Sequence, residues 1–131
     1  MSLKNYQMYI DGEFVDAENN QCFESLNPEN NQPWAIIPEA SKDDIDRCIQ
    51  SAKLAFHSWS KTSVAERAKY LRAIGDKMFE HAEILGKTES IDSGKLLKET
   101  KFQSEYMKEY FYYYADLAES MNNETLIPNI D

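Results

Sequence analysis

Residues 102–121 read FQSEYMKEYFYYYADLAESM, and the rest of the chain has to be fitted around them. Tyr106, Tyr110, Phe111, Tyr112, Tyr113 and Tyr114 are six of the fourteen tyrosines and phenylalanines in the protein, and Phe102 stands just before them. At helical spacing, Phe102, Tyr106, Tyr110, Tyr113, Leu117 and Met121 fall on one stripe. Met107, Phe111, Tyr114 and Ala118 fall on a second stripe beside it. A helix with so wide an apolar face is buried on more than one side. Its cover must come from the rest of this chain or from another.

Upstream, residues 41–94 carry three further helical patterns. Ser41 is placed to cap the first, with Asp43, Asp44 and Asp46 at the positive end of its dipole. Ile45, Cys48, Ile49, Ala52, Phe56 and Trp59 form the stripe expected to be buried. The acid cluster is read as a dipole effect rather than a cation site. Ser63-Val64-Ala65-Glu66 has the capping-box spacing and opens a second helix running through Ala68, Leu71, Ile74, Met78 and Phe79. Gly75 inside it costs about 1 kcal/mol against alanine, so a close packing contact is expected there. A third helix covers about 82–91, with Gly94 as its left-handed C-terminal residue.

The first forty residues have strand and turn chemistry instead. Residues 6–17 read as a hairpin about Asp11-Gly12, because both central positions of a type I′ turn need positive φ. Cys22–Leu26 and Trp34–Ile37 read as strands on either side of the turn residues Asn27-Pro28-Glu29-Asn30-Asn31. The expectation is four short strands in a small antiparallel sheet, then four helices. Residues 126–131 read as the start of a further strand.

Composition narrows the function. The chain has 131 residues, 42% hydrophobic and 28% charged, with a formal net charge of −9. This suits one globular domain. No basic patch is present to meet nucleic acid, and no apolar run is long enough for a membrane span. Residues 1–14 lack the apolar core of a secretion signal, so a cytoplasmic location with reduced Cys22 and Cys48 is expected.

Self-contained chemistry is not found. Glycines at 12, 75, 86 and 94 are too scattered for a dinucleotide loop. Gly86-Lys87-Thr88 copies the end of a P-loop, but the partner glycine position is His81 and the context is helical. His57 and His81 lack metal-ligand spacing, and no Ser or Cys sits in a nucleophile context. The sequon Asn123-Glu124-Thr125 is a pattern without consequence in a cytoplasmic protein. The aromatic run could serve as a stacking platform, but its neighbours Glu105, Glu109, Asp116 and Glu119 are acidic where such platforms are basic.

Several phrases together resemble one family, the aldehyde dehydrogenases. They are residues 9–15 (YIDGEFV), 23–28 (FESLNP), 52–59, Glu66-Arg67, 71–76, 88–95 (TESIDSGK), 112–118 (YYYADLA) and Ile127-Pro128. Their order and spacing over residues 6–128 resemble the opening part of a much longer family chain. The resemblance implies an α+β fragment of a larger α/β Rossmann-like fold. It implies that residues 1–131 are the N-terminal part of a cofactor-binding domain: a small sheet over 1–39, helices over 41–121, and the start of an oligomerisation strand over 122–131. Enzymes of this family oxidise aldehydes to carboxylates with NAD or NADP, using a cysteine thiolate, oxyanion donors and a glutamate base. In the family these groups follow the segment matched here, and neither Cys22 nor Cys48 resembles the nucleophile. The chain alone is therefore expected to be inactive and to bind no nicotinamide cofactor.

One site carries over by resemblance. Asp92 matches an aspartate that, with a backbone carbonyl near Leu26 in the Ser25–Leu26 peptide, holds a monovalent cation (Na or K) in some family members. The expected partners are the remainder of the enzyme chain or another copy of itself in a homo-oligomer, with neither nucleic acid nor membrane. The alternative reading is a free-standing, self-associating interaction module from a truncated gene.

Overall fold

The structure is a computed structural model that describes residues 3–121. Five strands come first: β1 (Lys4–Asn5), β2 (Met8–Ile10), β3 (Glu13–Val15), β4 (Cys22–Asn27) and β5 (Gln32–Pro38). Four helices follow: α1 (Lys42–Trp59), α2 (Val64–Glu80), α3 (Ala82–Ser93) and α4 (Leu97–Ser120).

The expected single antiparallel sheet is two. β2 and β3 form the hairpin about Asp11-Gly12, with φ of 55° and 85° at the two turn residues. β4 and β5 pair antiparallel, and β1 adds parallel to β5, giving the order β1-β5-β4. β1 is the strand that the sequence does not announce. It is two residues long, and its pairing with Ala35 and Ile36 is remote in sequence. The turn at residues 27–31 is held by its asparagines: Asn27 Oδ1 accepts from the Glu29 amide at 2.9 Å, and Asn30 Oδ1 from the Gln32 amide at 3.0 Å.

α1 starts on a complete capping box. Ser41 Oγ accepts from the Asp44 amide at 3.1 Å, and Asp44 Oδ2 accepts from the Ser41 amide at 2.9 Å. Asp44 also accepts from the Ser41 hydroxyl at 2.9 Å, the Glu18 amide at 3.1 Å and Arg47 at 3.1 Å. It is 1% exposed. One of the three acids assigned to the helix dipole is thus a buried anchor between α1 and the loop after β3. At α2 the box is half made. Ser63 Oγ accepts from the Glu66 amide at 3.2 Å, while the Glu66 carboxylate pairs with Lys69 at 3.3 Å.

The helical core consists of small residues. Ala68, Ala82, Ala115, Thr100 and Ser104 are buried, as are Gly75 and Gly86. α4 therefore crosses α2 and α3 with its backbone close to theirs. A Cβ on Gly75 would come within 3.1 Å of Phe111 Cβ and 3.3 Å of the Lys108 carbonyl oxygen, which is the close contact expected there. At Gly86 the approach is tighter still. A Cβ would meet Lys101 Cα at 2.7 Å and its amide nitrogen at 2.8 Å. The Gly86 carbonyl accepts from Thr100 Oγ1 at 2.8 Å, and Ser104 Oγ donates to the Thr100 carbonyl at 2.9 Å. Both hydroxyls stay buried without an orphaned polar group.

Ion pairs staple the same crossings. Arg72 of α2 reaches Asp116 at 2.5 Å and Glu119 at 2.6 Å, and the two carboxylates hold its guanidinium firmly protonated. Lys108 and the Tyr112 hydroxyl both reach Asp76 Oδ1, at 2.8 and 3.0 Å. Lys101 joins α4 to Glu83 of α3 at 2.6 Å. With Lys87 it holds the Glu83 carboxyl down at about 2.

The large apolar side chains lie mostly outside this seam. The α1 stripe expected to be buried is not. Ile45, Ile49, Phe56 and Trp59 are all 45% exposed or more, and Cys48 is also exposed. α1 packs on β2, whereas α4 packs on α2 and α3. The other three helices are expected to bury one side of α4, and two of them, α2 and α3, do so. Residues 122–131, where the start of a further strand is expected, lie outside the described residues.

Candidate functional site

Of the residues expected to form a cation site, Ser25 and Asp92 meet. Ser25 sits on β4 opposite Ala35 of β5, and Leu26 sits opposite Pro33. Trp34 is left over between those two pairs, which makes it the extra residue of a β-bulge. A bulge frees a side chain from the sheet's alternation and re-aims it. Here the indole Nε1 lies 3.2 Å from both Ser25 Oγ and Asp92 Oδ1. The Ser25 hydroxyl donates to Asp92 Oδ1 at 2.6 Å. Tyr6 packs edge-on against the Trp34 ring, with centroids 5.9 Å apart.

Asp92 reaches this position because α3 ends beside β4. Gly94 caps the helix in the left-handed conformation at φ 73°, its amide donating to the Ser90 carbonyl at 3.0 Å. Gly94 also lies against Pro28, where a Cβ would meet two ring carbons at 3.3 Å. Below it, the Ser93 hydroxyl donates to the Glu89 carbonyl at 2.6 Å, and Lys95 pairs with Glu89 at 2.6 Å. No basic side chain occupies the last turn of α3. Asp92 Oδ2 has no partner among the described residues.

The arrangement is a polar hinge between sheet and helices rather than a nucleophilic centre. The proton of Ser25 is committed to a carboxylate, and no histidine adjoins the hydroxyl to act as its base. Of its members, Ser25, Leu26 and Asp92 carry signals in the sequence. Trp34 does not, because nothing local announces the bulge. Among the described residues no cluster of three or more His, Cys, Asp or Glu side chains is placed to hold a metal ion. Among them, too, no helix is long and apolar enough to cross a membrane.

The second notable surface is the outer face of α4. Tyr106, Tyr110, Tyr113 and Tyr114 are about half exposed, whereas Phe111 and Tyr112 turn inward and are half-buried. Phe102 stacks on Tyr106 at 5.8 Å, and Tyr106 meets Tyr110 edge-on at 5.3 Å. The run is thus neither fully covered nor fully solvated.

A family model described as the aldehyde dehydrogenase family matches residues 14–131. The chain belongs to the aldehyde dehydrogenase family. It is 36% identical, over 121 residues, to (Z)-2-((N-methylformamido)methylene)-5-hydroxybutyrolactone dehydrogenase of Acinetobacter baylyi, covering 91% of this chain and 24% of that one. It is also 36% identical to the peroxisomal aminoaldehyde dehydrogenase 1 of Pisum sativum, covering 98% of this chain and 26% of the relative. The crystal structure of betaine aldehyde dehydrogenase from Staphylococcus aureus in complex with NAD+ matches with a TM-score of 0.86 and 36% identity, over 95% of this chain and 25% of that one. The chain thus corresponds to the N-terminal segment of the family's Rossmann-like fold and spans about a quarter of the length of these relatives.

The four glycines are all occupied by the fold itself. Gly75 and Gly86 are pressed against α4, Gly12 makes a hairpin turn and Gly94 caps α3, so none lies in a loop that could cradle a pyrophosphate.

Proposed function

We propose that the chain contributes the N-terminal segment of an NAD- or NADP-dependent aldehyde dehydrogenase that oxidises an aldehyde to a carboxylate, and that its own part is structural. The observation that carries this reading is the family match over residues 14–131, alongside relatives named as dehydrogenases at 36% identity. On this reading the segment supplies the helices against which the remainder of the fold packs, and leads into the contacts of an oligomer. Residues 1–131 alone are expected to show no NAD- or NADP-dependent aldehyde oxidation above the uncatalysed rate. Nicotinamide absorbance with a panel of aldehydes checks this, and turnover by the isolated chain would overturn it. A free-standing self-associating module is the second reading, favoured by the half-exposed tyrosines of α4.

The Ser25–Asp92 junction is proposed to hold Na or K. Its donors are a carboxylate, a hydroxyl and the backbone carbonyls of the Ser25–Leu26 peptide. These are hard oxygen ligands at the negative end of α3. The cation would neutralise Asp92 where sheet and helix meet. KCl or NaCl is expected to raise the melting temperature by a few degrees over choline chloride at equal ionic strength, and Asp92→Asn is expected to abolish the difference. Equal melting of the parent in all three salts counts against the site.

A further inference from the structure

The hairpin turn holds a reactive pair that the fold itself does not use. Across the 131 residues, Asp11 is the one aspartate or asparagine followed by glycine. A side chain on the following residue crowds that residue's amide nitrogen, and glycine has none. The Gly12 nitrogen is therefore a competent nucleophile towards Cγ of Asp11. The turn leaves the approach open. Ile10 and Glu13 are the last pair of the hairpin ladder, so both turn residues lie beyond it. Both are exposed, and a Cβ built on Gly12 would meet nothing within 4 Å.

One contact restrains the carboxylate. Ser51 of α1, 40 residues along the chain, donates its hydroxyl to Asp11 Oδ1 at 2.8 Å. Among the described residues this is the single hydrogen bond to that side chain. The two residues meet on the wall of a groove between the hairpin and α1, which Ile10, Val15, Arg47 and Leu54 also line. Ring closure requires Asp11 to rotate about its Cα–Cβ bond until Cγ faces the Gly12 nitrogen. The Ser51 bond holds the carboxylate towards α1 and opposes that rotation. Because water competes for an exposed bond of this kind, it slows the rotation without forbidding it.

We propose that Asp11 is a site of spontaneous main-chain modification, converting to isoaspartate through a succinimide, and that the Ser51 hydroxyl sets its rate. The reaction needs no partner but water. A bond forms between the Gly12 nitrogen and Asp11 Cγ, and the protonated carboxyl loses its hydroxyl, which leaves as water with the amide proton. Water then adds to one of the two imide carbonyls. Opening at the side-chain carbonyl restores aspartate. Opening at the main-chain carbonyl leaves the chain running through Cβ, with the α-carboxylate as the side group. Nothing is oxidised or reduced, and the mass is unchanged. The product suits the hairpin badly, because a two-residue turn with both φ positive has no place for an added main-chain carbon. The Ile10–Glu13 pairing and the Ser51 contact are lost together, which loosens the hairpin from α1.

The test keeps the whole chain warm at neutral pH for some weeks and samples it by peptide mapping. Electron-transfer fragmentation cleaves isoaspartate between Cα and Cβ, so it reads position 11 directly. Isoaspartate is expected to accumulate there, and to do so several-fold faster in Ser51→Ala. Ser51→Thr keeps the hydroxyl and should follow the parent. Asp11→Glu, whose ring would have six members, should show no isomer at that position. Far-UV circular dichroism before incubation verifies that each variant starts folded. Absence of isoaspartate at position 11 in both the parent and Ser51→Ala would overturn the proposal. So would equal rates in those two proteins, or a Ser51→Thr that isomerises as fast as Ser51→Ala.

Discussion

Replacing Gly86 by alanine is expected to cost the fold roughly 2–3 kcal/mol, the upper range for overpacking a tight core. Two effects compete. Alanine is the better helix former by about 1 kcal/mol, which favours the variant. Against that, the new methyl would sit 2.7 Å from Lys101 Cα and 2.8 Å from its amide nitrogen. Those atoms belong to the main chain and cannot rotate aside, so α3 and α4 must separate. Separation stretches the buried bond from Thr100 Oγ1 to the Gly86 carbonyl, now 2.8 Å. Sterics therefore outweigh propensity. Gly75→Ala offers an internal contrast. Its methyl would meet Phe111 Cβ at 3.1 Å, and a few tenths of an ångström of movement relieves that contact, so less than half the cost is expected. Urea unfolding followed by circular dichroism measures both. Gly86→Ala as stable as the parent would show that the two helices do not approach this closely.

Asp44→Ala should be nearly as damaging, lowering the melting temperature by on the order of 10 °C. The carboxylate accepts from the Ser41 amide and hydroxyl, the Glu18 amide and Arg47, and it is 1% exposed. Its loss leaves two amides short of an acceptor and opens the box that starts α1. The same donors make the site sensitive to acid. The Ser41 amide, against the opposing effect of burial, holds the Asp44 carboxyl below its ordinary value of 3.8, with help from Glu18, the Ser41 hydroxyl and Arg47. A carboxyl lowered on folding stabilises above its unfolded value, and that contribution is lost as pH falls through the folded one. Melting temperatures of the parent should therefore fall as pH drops below 3.8, on top of a loss from Glu83 that starts below its ordinary value of 4.5 and runs towards about 2. Asp44→Asn should show a shallower fall below pH 3.8 than the parent. An identical acid profile in that variant would remove Asp44 from the account.

The helices were legible because their signals are local. Ser41, Ser63 and Gly94 mark ends by chemistry that acts within one turn, and Asp11-Gly12 fixes a hairpin from two residues. What escaped depends on distant partners. β1 exists only because β5 lies beside it. Trp34 joins Ser25 and Asp92 only because the sheet slips by one residue. Asp44 reads as one acid among three until the loop after β3 folds back to offer the Glu18 amide. Gly86, whose surrounding triplet mimics a phosphate loop, is there to let α4 approach. The α1 stripe carries the subtlest lesson. Periodicity identifies a face that favours burial, but it does not say whether this segment supplies the cover. Ile45, Ile49 and Phe56 stay open because α1 packs chiefly on β2, and Trp59 at its end remains 45% exposed although its ring meets Tyr70 of α2.

The two cysteines occupy separate parts of this arrangement, Cys22 on the edge strand β4 and Cys48 on α1, and both thiols are open to solvent. They provide a built-in pair of attachment points for thiol-reactive fluorophores, with no engineered residue required. Energy transfer between a donor on one and an acceptor on the other would act as a ruler across the joint that Asp44 holds shut. Any change in that distance as a partner chain engages would be read in real time.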